Sequence, residues 1–141
     1  MLANWPLFRD LCGAVALGLG AWVAMTFGLD GYSCCHNPGW KVIAGYSIFR
    51  PAVEELIFRG VLQSELSATD WGKRGQYFTY ANLATSLCFA ALHIPFRSIE
   101  WALATFFPSL VFGYFRDRHK SLVWPIAVHG FYNMGLLYIS P

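Results

Sequence analysis

Glu54-Glu55-Leu56-Ile57-Phe58-Arg59 stands inside an otherwise apolar stretch that runs from Lys41 to about Leu66. A bilayer core of about 30 Å takes about 20 mainly apolar residues per helix, and this stretch is long enough. Placing Glu or Arg at the centre of a membrane helix costs roughly 2.5–3.5 kcal/mol on insertion scales. A chain under no functional demand rarely keeps three such residues together. Glu55 and Arg59 are four apart, share one helical face and can form an ion pair. The pair partly offsets the desolvation of both groups, and it also reads as a plain structural clamp. Glu54 is turned about 100° away and has no local counter-charge in the sequence. It can face a different neighbouring helix, where a carboxylate suits the work of a general base.

The surrounding chain supports a membrane reading. Of its 141 residues, 56% are hydrophobic and 13% charged, against about 25% charged in a soluble domain. That leaves too little charge to coat a water-facing surface. Aromatics reach 18%, with six Trp, which suits the two membrane interfaces. The net charge of +2 is small, and no basic run with interleaved aromatics points to nucleic acid. Further apolar stretches run from Leu11 to Leu29, Tyr77 to about Ile94, Ile99 to Phe115 with Pro108 as a kink, and Leu122 to Ile139. The expected fold is all-α: a polytopic transmembrane helix bundle of about five spans. It forms a single integral membrane domain over 1–141, with a core over about 41–137. The first stretch reads as a retained helix, because no clean small-residue cleavage site follows it.

Loop charges set the expected orientation. Arg9, Lys73, Arg74, Arg116, Arg118 and Lys120 fall on one side, Lys41 and Arg97 on the other. By the positive-inside rule the N-terminus is cytoplasmic.

Other polar groups lie in the apolar stretches. His93 closes the third, and taken alone such a residue also reads as a packing or interface group. His129 and Asn133 are four apart on the fifth and share one face, which fits a helix–helix hydrogen bond as well as a site. In hydrocarbon all of them need protein partners or water. The economical arrangement has three helices meeting around one small wet cavity. Glu54 and His93 can hold a water there, and His129 and Asn133 can donate to a developing oxyanion. Arg50 precedes Pro51 and marks a kink or local unwinding. His119 reads as solvated. Cys12 and Cys88 read as inert packing residues, and Cys34, Cys35 and His36 lack a fourth zinc ligand.

Three segments together resemble a known family. Glu54 to Arg59 matches EExxxR, Phe89-Ala90-Ala91-Leu92-His93 matches FxxxH, and His129-Gly130-Phe131-Tyr132-Asn133 matches HxxxN. These are the motifs of the CAAX prenyl-endopeptidase and bacteriocin-processing membrane proteins, and the resemblance covers about residues 41–137. It implies a glutamic-type intramembrane protease. Glu54 would activate water with His93, and His129 and Asn133 would form the oxyanion hole. Glu55, Arg59 and Phe89 would support the site. The glutamic reading needs no metal or other cofactor, although Glu54, His93 and His129 can in principle ligate zinc.

The chain looks like a reduced core of the family fold, with less room for a prenylated peptide. Expected partners are the lipid bilayer and a membrane-anchored protein or peptide, such as a C-terminal anchor, a sorting signal or a bacteriocin-type peptide. The expected location is a prokaryotic inner membrane. A non-catalytic immunity or partner-binding protein, using the same polar cavity, is the alternative. A proton-linked transporter is a third reading, and the absence of an internal repeat argues against it.

Overall fold

The computed structural model describes residues 5–28 and 38–138, and every regular element among them is helical. Helix α1 is Trp5–Gly28, and α2 runs unbroken over 40–68. Then come α3, Tyr80–His93, α4, Ile99–Ala104, α5, Phe106–His119, and α6, Val123–Tyr138. The all-α expectation holds. The fourth apolar stretch is divided at Thr105. Pro108 stands in the first turn of α5, where its missing N–H costs little. Among the described residues α1 alone is long and apolar enough to cross a membrane, over Trp5–Met25. Helix α3, at 1.5 Å per residue, is about 21 Å long. Cys34, Cys35 and His36 lie outside the described residues.

The chain divides into two compact units, Ala52–Ile126 and Met1–Pro51 with Ala127–Pro141. In the first unit a polar seam sets the helix register. Arg59 Nη2 donates to the Ser109 carbonyl at 2.7 Å and to Ser109 Oγ at 2.6 Å. Gln63 Nε2 donates to the Gly113 carbonyl at 3.0 Å and to Asp117 Oδ1 at 2.8 Å. The constant offset between partners means that α2 and α5 run parallel here. Glu55, Arg59 and Gln63 form one stripe at i, i+4 and i+8, and Ser109, Gly113 and Asp117 form the stripe that meets it.

Helix α3 runs antiparallel to α5. Asn82 Nδ2 donates to the Leu110 carbonyl, and Thr79 Oγ1 donates to Asp117 Oδ2. Thr79 also caps α3 by accepting from the Asn82 N–H. Asn82 reaches this position because residue 113 is glycine; a Cβ there would overlap its amide.

In the second unit, small residues bring α1 and the end of α6 together. Gly18 lies against Tyr132 and Phe131, and Gly135 lies against Trp22. The Trp22 and Phe131 rings are 4.6 Å apart, and Tyr132 Oη donates to the Ala14 carbonyl at 2.9 Å. Small residues permit this backbone approach.

Burial follows an unusual division. Glu55, Arg59, Gln63, Asn82, Thr85, Ser86 and Ser109 are fully buried, while Leu56, Ile57, Val61, Leu87, Leu92, Leu103 and Phe107 are more than half exposed. In a water-soluble domain a buried polar group is the exception. Cys12 and Cys88 are exposed, which corrects their reading as packing residues. His119, read from the sequence as solvated, is half-buried. It closes α5 with its ring 5.5 Å from that of Phe115.

Candidate active site

The expected Glu55–Arg59 pair forms, with Arg59 Nε 3.2 Å from Glu55 Oε2 and both side chains fully buried. Its surroundings explain how a buried pair is tolerated. Ser109 supplies two acceptors to the guanidinium. The rings of Phe89 and Phe112 lie 5.5 and 5.8 Å from its centre, within cation–π range. Phe89 in turn packs edge-on against Phe58, at 5.0 Å. The FxxxH pattern marks Phe89 as a supporting residue. Ser109 and Phe112, which complete the cage, carry no motif.

Arg59 belongs to a π-helical run, Leu56–Leu62. Such runs recur at functional sites. Here the backbone carbonyl of Arg59 accepts from Ser64 Oγ at 2.9 Å and from Arg116 Nε at 3.3 Å, so the arginine is held by backbone and side chain alike.

Glu54 is half-buried. The guanidinium of Arg59 acts electrostatically on Glu55, Asp117 and Glu54, in falling order. The expectation that Glu54 lacks a local counter-charge is therefore corrected.

His93 closes α3 and is half-buried. Its Nδ1 lies 2.8 Å from the Phe89 carbonyl, and its ring is 4.7 Å from the Phe89 ring. A carbonyl can only accept, so Nδ1 carries the hydrogen. In the neutral imidazole Nε2 then presents a lone pair. Phe89 thus links two parts of the site: its ring faces Arg59 and its carbonyl selects the His93 tautomer.

His129 and Asn133 belong to the other compact unit. His129 is buried, and Asn133 Nδ2 donates to the Tyr46 carbonyl at 3.0 Å. The reason lies in α2. Pro51 has no N–H, and the turn before it is π-helical, Gly45–Phe49, with the Arg50 N–H bonded to the Gly45 carbonyl. The next donor in that pattern, due to the Tyr46 carbonyl, is the absent N–H of Pro51. Asn133 supplies that bond instead. Gly130 makes the approach possible, since a Cβ there would meet the Ser47 carbonyl. The unwinding expected at Arg50 and Pro51 is present, and Arg50 itself lies over the Tyr46 ring at 4.8 Å.

Among the described residues, no three of His, Cys, Asp and Glu converge as metal ligands would.

A family model described as type II CAAX prenyl endopeptidase Rce1-like matches residues 36–135. No curated protein and no solved structure matches the chain.

Proposed function

Because the chain belongs to the Rce1-like family of type II CAAX prenyl endopeptidases, a membrane-associated protease family, we propose that it is a glutamic-type intramembrane endopeptidase. In this reading Glu54 and His93 hold one water near a membrane-proximal peptide bond. The water oxygen attacks the carbonyl carbon while Glu54 takes its proton. The C–N bond then breaks, and the proton passes to the leaving amine. His129 and Asn133 donate to the oxyanion that forms between these steps. Asn133 has two Nδ2 hydrogens; the bond to Tyr46 fixes the amide plane and leaves the second for the substrate. Glu55 and Arg59 hold the Glu54 backbone in place.

The observation that carries the reading is the 2.8 Å contact between His93 Nδ1 and the Phe89 carbonyl. With Nδ1–H committed to the Phe89 carbonyl, Nε2 is an acceptor, as a water-holding base requires. The burial of polar groups beneath exposed Leu, Ile, Val and Phe supports a polytopic bundle with lipid as its solvent, forming one integral membrane domain. The loop charges support a cytoplasmic N-terminus in a prokaryotic inner membrane. The substrate class is a membrane-anchored protein or peptide cut at a C-terminal anchor, a sorting signal or a bacteriocin-type sequence.

The Asn133–Tyr46 bond favours a second reading, in which the third motif only braces helices and the protein binds a partner without cutting it. Glu54→Gln separates the two. For the full chain in lipid nanodiscs with a membrane-anchored reporter, the variant is expected to lose about 10²–10⁴ in kcat at an unchanged melting temperature. Wild-type cleavage is expected to persist after chelation. Full activity in Glu54→Gln, or activity lost to chelation and restored by zinc, would refute the glutamic mechanism.

A further inference from the structure

Away from the motifs, the ends of α2 and α5 frame a cleft of about 270 Å³, lined by Gln63, Ser64, Ser67, Arg116, Asp117 and Lys120. Its one acid is already engaged: Asp117 Oδ1 accepts from Gln63 Nε2 and Oδ2 from Thr79 Oγ1. Arg116 spends two of its five N–H donors inside the fold, Nε on the Arg59 carbonyl and Nη2 on Ser64 Oγ. Three donors remain. Lys120 is exposed and sits in the left-handed region, φ 51°, where it ends α5. Gln63 is fully buried, and its Oε1 has no hydrogen-bond partner among the described residues. Ser64 donates its one hydroxyl hydrogen to the Arg59 carbonyl, so the cleft offers two cations, the Ser67 hydroxyl and one buried acceptor that lacks a donor.

The segment beside the cleft has an interfacial character. Trp71, Tyr77, Phe78 and Tyr80 are all exposed, as aromatic side chains are at headgroup level. Arg74 and Arg118 add positive charge in the same stretches of chain, while Lys73 lies 3.7 Å from Asp70. A phosphate diester bearing a hydroxyl answers each feature, with its anionic oxygens accepting from Arg116, Lys120 and Ser67 and its hydroxyl donating to Gln63 Oε1. We propose that this cleft binds the headgroup of an anionic glycerophospholipid of the phosphatidylglycerol type. The site lies at the Gln63 end of the Glu55–Arg59–Gln63 stripe, and bound lipid would clamp α2 to α5.

The test uses the full chain in a neutral detergent, with phosphatidylglycerol, phosphatidylcholine or inorganic phosphate as separate additions. Thermal unfolding and native mass spectrometry are the readouts. Phosphatidylglycerol is expected to raise the melting temperature and to remain bound as one molecule, with little effect from phosphatidylcholine. Lys120→Gln, which removes the charge and keeps a polar side chain, is expected to weaken phosphatidylglycerol roughly fivefold. Ser67→Ala weakens it less, and Lys41→Gln leaves it unchanged. Equal retention of both lipids, or unaltered affinity in Lys120→Gln, overturns the site. A full melting shift from inorganic phosphate, with nothing added by the lipid, overturns the lipid assignment.

Discussion

Replacing Arg59 by Met removes the cation that pairs with Glu55. Three contacts disappear: the ion pair with Glu55 at 3.2 Å and the two bonds to Ser109 at 2.7 and 2.6 Å. Glu55 is fully buried, so water cannot replace the lost charge. Breaking one side of a buried pair costs about 3–5 kcal/mol. For a chain of this length each kcal/mol moves the melting temperature by about 4 °C on the scale of soluble domains, so the expected fall is about 12–20 °C. Ser109→Ala loses the hydroxyl but keeps the carbonyl acceptor, and it should cost only about 1 kcal/mol, the value of one hydrogen bond. The double variant Glu55→Leu/Arg59→Met removes both charges and should recover most of the loss, because apolar replacement of a whole buried pair is often neutral. Thermal unfolding of the three variants in one detergent gives the comparison. If Arg59→Met melts with the wild type, or the double variant is the least stable, the buried pair is not what anchors α2 to α5.

Two glycines give sharper steric tests. Gly113→Ala places a methyl on the Asn82 amide and is expected to destabilise by about 1–3 kcal/mol, measured by the same melt. Combining it with Asn82→Ala should restore part of that loss, since the overlapping group is gone. Gly130→Ala drives a methyl into the Ser47 carbonyl and should loosen the Asn133–Tyr46 bond, at a similar cost of about 1–3 kcal/mol. If Asn133 also serves the oxyanion, kcat in reporter cleavage falls further than the loss of folded protein accounts for.

The helices, and which of their residues are unusual, were legible in the chain itself. Apolar length is a local property, so the stretches 41–66, 77–94 and 122–139 lie close to the helices 40–68, 80–93 and 123–138, whereas the fourth stretch is divided at Thr105. The Glu55–Arg59 pair is local too: four residues of one helix bring the charges together whatever surrounds them. Pro51 announced its irregular turn, because a missing N–H is a property of the residue.

The tertiary structure decided the contacts between partners fifty or more residues apart. Arg59 meets Ser109 and Gln63 meets Gly113 only because α2 and α5 run parallel at one register, and no periodicity within either helix specifies that offset. The π-helical turns shift the phase of α2, so a straight-helix projection misplaces the residues beyond them. The same holds for Glu54. Its sequence neighbours made it look like a carboxylate without a counter-charge, but the field of Arg59, held by Ser109 and two aromatic rings, reaches it as well. Asn133 carries the same lesson: its spacing from His129 marked it as a donor, and only the folded chain supplied the acceptor, a carbonyl that Pro51 had left without its usual bond.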